Sequence, residues 1–486
     1  MKRVAVIDIG SNSVRLGIYG AVGSALISLY DEKATCGLGK NLSATGKLYP
    51  GGVNTAIVEL QRFADLVSDS PLEGFYPFAT AAVRDALDGE EFVQRVAAET
   101  GVTIQIISGL EEARYSAMGV AGAIPGATGI VGDLGGGSLE LVRLENGTVA
   151  DQTTLPIGAL LRPLETDADA TRDWLRQKLE PVSWLAACPG SDFYLVGGAW
   201  RAFARAHMRQ SGHPLPIIHE YSMRADDAVE VAELIGLMGE RSLSLLTCVP
   251  RKRRPIMPYA SLMLAEIARI AKPANIVASS HGLREGFVRE VLKLGGSDPF
   301  LDYCRHAGAA NARIAPDGGE VFEWLVPLFP DLQAETRRWV EGACWLSDLA
   351  GRDHPDRRAE IAFARGSNLP AVAFSHEGRA FMGTALKVRY NGARRFAAED
   401  EAAAQHLLTD KEIEMAVRLG CVLRLAHAVS PSGRSLAKTA LTLDAESVTL
   451  DGPAGLLSGE TVTRRFRNAA EIFGKRPVLL GQTPAR

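Results

Sequence analysis

A strand, a tight glycine turn and a second strand are written twice in this chain, about 125 residues apart, and this repeat constrains the fold more than any other feature. Val4-Ala5-Val6-Ile7 runs into Asp8-Ile9-Gly10-Ser11-Asn12-Ser13, after which Val14-Arg15-Leu16-Gly17-Ile18-Tyr19 resumes the apolar pattern. Gly129-Ile130-Val131-Gly132 runs into Asp133-Leu134-Gly135-Gly136-Gly137-Ser138, and Leu139-Glu140-Leu141-Val142 follows. Glycines permit close backbone approach, and consecutive N–H groups in such turns form concave anion sites. The leading carboxylates repel a phosphate unless a cation stands between, and Mg²⁺ suits oxygen donors of this kind. A single such turn reads equally well as a plain β-turn. Two copies in the same order point to a pair of jaws that grip a chain of phosphates from both sides.

At 486 residues the chain has room for about three domains. A net charge of −4 provides no bulk attraction to nucleic acid or to an anionic membrane, so neither is expected as a partner. Met1-Lys2-Arg3 resembles the start of a signal peptide, but Asp8 interrupts the apolar run after four residues. No apolar stretch approaches the roughly 20 residues of a membrane helix. Six cysteines, at positions 36, 188, 248, 304, 344 and 421, have no metal-type spacing and read as reduced thiols in a cytoplasmic protein.

Strand and helix patterns mix over residues 1–125, with strands expected at Val4–Ile9, Val14–Tyr19, Ala25–Leu29, Phe75–Ala79 and Ile104–Ile107. Helical periodicity occupies Val53–Ser68, Glu90–Thr100 and Glu111–Val120. A second α/β unit covers 126–297, with helices that include Asp169–Leu185, Ala199–Arg209, Tyr259–Ala271 and Leu283–Leu294. Gly295-Gly296-Ser297-Asp298-Pro299 reads as a linker. From there to residue 486 a helical domain is expected, ending in a small α+β tail whose Ser435–Leu443 and Ser447–Leu450 alternate like a hairpin.

The duplicated lobes and twin turns resemble the sugar-kinase, heat-shock and actin ATPase superfold, so the fold class expected is α/β, with two actin-like lobes before a helical domain. Five motifs narrow the resemblance. They are the two turn segments, Ala79-Thr80-Ala81-Ala82-Val83-Arg84-Asp85-Ala86, Ser108-Gly109-Leu110-Glu111-Glu112-Ala113-Arg114-Tyr115 and Gly282-Leu283-Arg284-Glu285-Gly286. In this order they resemble the exopolyphosphatase/guanosine pentaphosphate phosphatase (Ppx/GppA) family, closely over residues 1–295 and loosely beyond.

That resemblance implies a phosphoanhydride hydrolase acting on inorganic polyphosphate, with guanosine pentaphosphate as the alternative substrate, and it implies a homodimer. Such chemistry needs a metal to offset charge, a cation on the transferred group and a base to orient water. Asp8, Asp133 and Glu140 are the candidate carboxylates around Mg²⁺, acting through waters. Ser11, Asn12, Ser13, Gly136, Gly137 and Ser138 are the candidates to hold the terminal phosphates. Glu111-Glu112 opens a helix, where acids commonly serve only the helix dipole, and the residues alone do not choose between them. The resemblance places Glu112 as the base and leaves Glu111 in support. It also places Arg84 on the terminal phosphate, against the alternative of a structural pair with Asp85. Arg15 reads as a residue that orients the first loop.

Gly197-Gly198-Ala199-Trp200-Arg201 stands where the superfold contacts adenosine, and its bulky Trp200 and Arg201 argue against an adenine pocket. Arg251-Lys252-Arg253-Arg254 is the densest positive run and reads as a phosphate-guiding loop, in which Arg254 best matches a family position. The C-terminal domain resembles the helical domain of metal-dependent HD phosphohydrolases, whose signature requires a His-Asp pair. Here the chain reads Leu346-Ser347-Asp348, and His354 and His376 nearby read as core or surface residues, so no metal centre is expected there. The domain is expected to extend the substrate channel or to build the dimer interface. A further site for a regulatory nucleotide, guanosine tetraphosphate or pentaphosphate, stays open as a partner, though no motif marks it.

Overall fold

An unbroken apolar run, rather than an alternating one, marks a strand covered on both faces, and Val4, Ala5, Val6 and Ile7 are all buried. They lie in β1 (Lys2–Ile9), the third strand of a five-stranded sheet. β2 (Ser13–Val22) pairs antiparallel with β1, and β3 (Ala25–Thr35) pairs antiparallel with β2. On the other side β4 (Gly74–Ala79) and β5 (Gln105–Ile106) continue in parallel, for the order β3-β2-β1-β4-β5. The computed structural model describes residues 1–161, 167–393 and 398–482.

The second sheet repeats the first. β6 (Gly129–Leu134), β7 (Leu139–Glu145) and β8 (Thr148–Leu155) form the antiparallel side. β9 (Asp192–Val196) and β11 (Asn275–Ala278) form the parallel side, and β10 (Tyr221–Arg224) is added antiparallel at the β11 edge. The order β8-β7-β6-β9-β11 matches β3-β2-β1-β4-β5 strand for strand. The duplicated-lobe architecture expected from the sequence is therefore present.

The helices Gly109–Ala123 and Leu283–Val291 pack together through glycine. A Cβ on Gly119 would lie 2.2 Å from the Gly282 carbonyl oxygen, and one on Gly286 would lie 1.8 Å from that of Tyr115. Only glycine permits this approach, which fixes Glu112 on one helix relative to Arg284 and Glu285 on the other.

Both sheets and their helices belong to one compact unit, Met1–Gly296, and residues from Ser297 onward form another. The second unit is helical, with Ala334–Trp345, Arg358–Ser367, His376–Asn391 and Asp410–Val429 among its helices. It ends in a three-stranded sheet of β12 (Ala440–Leu443), β13 (Ser447–Pro453) and β14 (Arg476–Gln482). The expected hairpin begins later than its pattern suggested, because Leu436–Lys438 is a 3₁₀ turn, and β14 joins β13 in parallel. The helix expected to reach Leu185 stops at Leu179, where Pro181 has no N–H to continue the helical bonds. No described helix is long and apolar enough to cross a membrane, and all six cysteines are free.

Candidate active site

The two glycine turns close with the same bond: the Gly10 N–H donates to the Ser13 carbonyl, and the Gly135 N–H to the Ser138 carbonyl, each at 3.0 Å. Each turn is also braced from behind by the loop that follows its lobe's third strand. The carbonyls of Ser11 and Asn12 accept from Gly39 (2.7 Å), Cys36 (3.2 Å) and Gly37 (3.1 Å). Those of Gly135, Gly136 and Gly137 accept from Ala159 (3.0 Å), Leu160 (2.9 Å) and Gly158 (3.3 Å). With the carbonyls committed, the N–H groups of Ser11, Asn12, Gly136 and Gly137 have no partner among the described residues. Such groups form an anion nest.

The turns approach closely, since a Cβ on Gly136 would lie 3.1 Å from the Ser11 Cβ. Between them opens a cleft of about 500 Å³ whose walls include Asp8, Ser11, Asn12, Ser13, Glu112, Asp133, Gly136, Gly137 and Ser138.

Register places a row of three side chains beside each turn. Asp8 faces Arg15, which faces Lys33, across β1, β2 and β3. Asp133 faces Glu140, which faces Thr154, across β6, β7 and β8. The rows are equivalent in position and different in charge. Thr154 Oγ1 donates to Glu140 Oε1 at 3.0 Å, while Glu140 Oε2 is buried with no partner among the described residues. Ser116 Oγ donates to Asp133.

Glu111 and Glu112 separate cleanly. Ser108 caps the helix, donating its N–H and hydroxyl to Glu111 Oε2 at 2.8 Å each, so Glu111 is spent on a capping box. Glu112 is buried in the cleft wall and accepts from Arg84 Nη1 at 3.2 Å. Arg84, from the short helix Ala81–Arg84, also donates to the Ile107 carbonyl and to Asp85, at 3.2 Å each. The structural pair with Asp85 is therefore present, beside a second pair with Glu112.

Burial raises the pKa of Glu112, which Arg84 opposes and the charges of Asp133 and Asp8 reinforce. Burial and then the charges of Glu112 and Asp133 raise Glu140 further. Asp8 and Asp133 are likewise raised, chiefly by burial. Four carboxylates thus converge where each resists ionisation, the electrostatic setting that a divalent cation relieves. The orphaned Glu140 oxygen fits such an ion. No three described His, Cys, Asp or Glu side chains are placed to hold an ion directly.

The rest of the cleft is lined by six cations, Arg15, Lys33, Arg201, Lys252, Arg253 and Arg284, and by Glu285, which with Asp31 pairs Arg284. Burial, then the charges of Arg15, Arg253, Lys252 and Arg201, lower Lys33 to about 8. Burial, then Arg15, lowers Arg201 to about 10. Arg201 donates to the carbonyls of Gly197 (3.2 Å) and Ser280 (3.1 Å), which fix it in the wall.

Two expectations need correction. Arg254 does not reach the cleft: its Nε donates to the Val249 carbonyl at 3.0 Å and its Nη1 to that of Ser244 at 2.7 Å, bracing the loop. The basic run is a 3₁₀ segment, Arg251–Ile256, which turns Lys252 and Arg253 to the cleft and Arg254 away. Trp200 is not in the cleft either. It is fully buried against Phe193 and donates Nε1 to the Ala260 carbonyl at 2.8 Å, so only Arg201 of that pair faces a ligand. Lys33 was not singled out from the sequence, because the pairing that puts it opposite Arg15 passes through a β-bulge that breaks the strand's alternation.

Residues 18–294 match the Ppx/GppA phosphatase family, and residues 325–480 match the exopolyphosphatase C-terminal family. Exopolyphosphatase 2 of Mycobacterium tuberculosis is 27% identical over 324 residues, covering 61% of this chain and 99% of its own. Exopolyphosphatase 1 of Mycobacterium bovis is 32% identical over 304 residues, covering 60% of this chain and 88% of its own. A solved structure of the Aquifex aeolicus Ppx/GppA family member has a TM-score of 0.54 and 26% identity, covering 61% of this chain and 99% of that one. An exopolyphosphatase from Cytophaga hutchinsonii shares the fold, with a TM-score of 0.55 and 20% identity over 61% of this chain and all of its own. The match over 18–294 takes in most of the twin-lobed unit and more than half of the sequence, and the chain belongs to the Ppx/GppA phosphatase family.

Proposed function

We propose that the cleft hydrolyses the terminal phosphoanhydride of inorganic polyphosphate and releases orthophosphate. The observation that carries this reading is the juxtaposition of the opposed turns, with their unpartnered N–H groups, and a wall of six cations. A linear polyanion matches both, whereas a purine base would have to sit among Lys33, Arg201 and Arg253. The names of the mycobacterial relatives agree with polyphosphate as substrate.

In this reading the turn N–H groups and the hydroxyls of Ser11, Ser13 and Ser138 hold the last phosphates. Glu112 orients a water and accepts its proton as the water oxygen bonds to the terminal phosphorus and the bond to the bridging oxygen breaks. Raised basicity from burial suits that role. Arg84 holds Glu112 and stabilises charge on the departing phosphoryl group. Asp8, Asp133 and Glu140 would hold Mg²⁺ through waters, and the ion when bound supplies positive charge against the phosphate oxygens. The cations beyond the turns retain the rest of the chain.

Phosphate release from long polyphosphate and from guanosine pentaphosphate, each with and without Mg²⁺, tests the proposal. Magnesium-dependent release that favours the polymer supports it. Preference for the nucleotide, or release without a divalent ion, contradicts it.

A further inference from the structure

Asp348, in the signature segment that lacks its histidine, lies on the wall of a cavity of about 470 Å³ within the C-terminal unit. Arg313, Arg358, Arg389, Arg424 and Arg465 also line it, and Asp348 is the only carboxylate among the described lining residues. Five guanidinium groups around one carboxylate are a poor structural ion-pair network and a good anion receptor.

Asp348 already has its partners. Arg313 donates to it through its backbone N–H and Nε at 3.0 Å and through Nη2 at 2.6 Å, and Arg389 Nη2 donates at 3.2 Å. The other three arginines are held by backbone carbonyls. Arg358 Nε donates to Asp353 O at 3.0 Å, Arg465 Nη1 to Arg424 O at 3.2 Å, and Arg424 Nη1 to Tyr390 O. A carbonyl orients a guanidinium without neutralising it. Arg389 is 7% exposed, and its Nε and that of Arg465 are buried with no partner among the described residues. Burial and neighbouring guanidiniums hold His427, also on the wall, well below the usual imidazole range, so it adds no charge. Burial lowers Arg389, Arg424 and Arg465 as well, and the positive groups beside each add to the shift.

We infer that this cavity binds a condensed-phosphate anion, a di- or triphosphate group, at a site independent of the catalytic cleft. The charge fits: the three arginines with no carboxylate partner among the described residues match an anion of several charges better than a monoanion. Arg424 and Arg465 also line a further cavity of about 510 Å³, whose wall includes Glu471 and Arg464, the latter paired with Glu460 at 2.7 Å. Planar guanidiniums bind phosphate oxygens in pairs, which favours phosphate over a simple carboxylate. The inference does not depend on the reading of the cleft.

Calorimetric titration of the full chain with tripolyphosphate tests it, using Glu112→Gln as background to suppress turnover. Adding Arg424→Gln together with Arg465→Gln should remove one molar equivalent of binding or weaken it at least tenfold. Unchanged stoichiometry and affinity would overturn the inference. Thermal melts report whether the double variant folds. If it does not, Arg358→Gln decides: at least threefold weaker binding at the same site supports the inference, and unaltered binding overturns it. A parallel titration with a nucleoside triphosphate separates the sources. Tighter binding than tripolyphosphate assigns a nucleotide, and weaker binding assigns a polyphosphate chain.

Discussion

Arg15 and Glu140 occupy the same place in the two hairpins: Arg15 faces Asp8 across the first, and Glu140 faces Asp133 across the second. Duplication built two identical turn frameworks, and this pair of positions then took opposite charges. One jaw presents cations through Arg15 and Lys33, and the other a buried acid held by Thr154. A site that must hold both a polyanion and a cation is served by that difference.

Glu140→Gln separates stability from activity. It replaces a buried carboxylate, raised by burial and by the charges of Glu112 and Asp133, with a neutral isostere. The melting temperature should stay level or rise, while phosphate release falls about 100-fold, in the range for removing a preorganised electrostatic group. Full activity in the variant would exclude Glu140 from the chemistry.

The adjacent glutamates should respond differently. Glu112→Gln is expected to cut the rate about 1000-fold, within the range for loss of a general base, and to leave polymer binding intact. Glu111→Ala removes the partner of Ser108 and should cost about 1 kcal/mol of stability at near-normal rate. Steady-state rates with urea denaturation on both variants check the division.

Within the basic run, Arg253→Ala should raise KM for long polyphosphate several-fold with little change in stability, because Arg253 lines the cleft. Arg254→Ala should leave KM unchanged and lower the melting temperature, because Arg254 braces the carbonyls of Val249 and Ser244. The reverse outcome would show that the loop presents its other face to substrate.

Gly286→Ala tests the helix contact that positions Glu112. The new Cβ would lie 1.8 Å from the Tyr115 carbonyl oxygen, so the helices must separate. A loss of about 3 kcal/mol is expected, at the high end for overpacking, and urea denaturation measures it. A neutral substitution would contradict the close packing.

Acid sensitivity should trace partly to Glu285. Burial raises its pKa, but Arg284, His281, the Tyr19 hydroxyl (2.7 Å) and the Gly282 N–H (3.0 Å) outweigh burial and bring it from 4.5 to about 2. A depressed carboxylate stabilises the fold above its unfolded pKa and loses that contribution as pH falls from about 4.5 towards 2. Glu285→Gln should therefore cost about 3 kcal/mol at pH 7 and flatten the acid limb of the stability curve. An unchanged acid limb would contradict the assignment.

The twin turns were legible because strand, glycine and strand alternate locally, and the same pattern yielded the duplicated sheets. Glu111 and Glu112 could not be told apart from the residues, since both suit a first helical turn; a hydrogen bond to Ser108 separates them. Arg254 was misplaced for a related reason. In a run of four cations the local conformation decides which side chains face the cleft, and the 3₁₀ geometry around Pro255 leaves no periodic signal in so short a segment. Trp200 was read as bulk standing against an adenine pocket because its size was visible and its partner, the distant Ala260 carbonyl, was not. The arginine cavity was illegible altogether: its side chains come from positions between 313 and 465, and only tertiary packing gathers them.

The most direct test of the cleft mechanism is hydrolysis of long polyphosphate in ¹⁸O-water, with chain length and label followed together. Attack by water on the terminal phosphorus predicts a chain shortened one unit at a time and one ¹⁸O atom in each orthophosphate released. Mid-chain fragments, or label left on the remaining polymer, would contradict it.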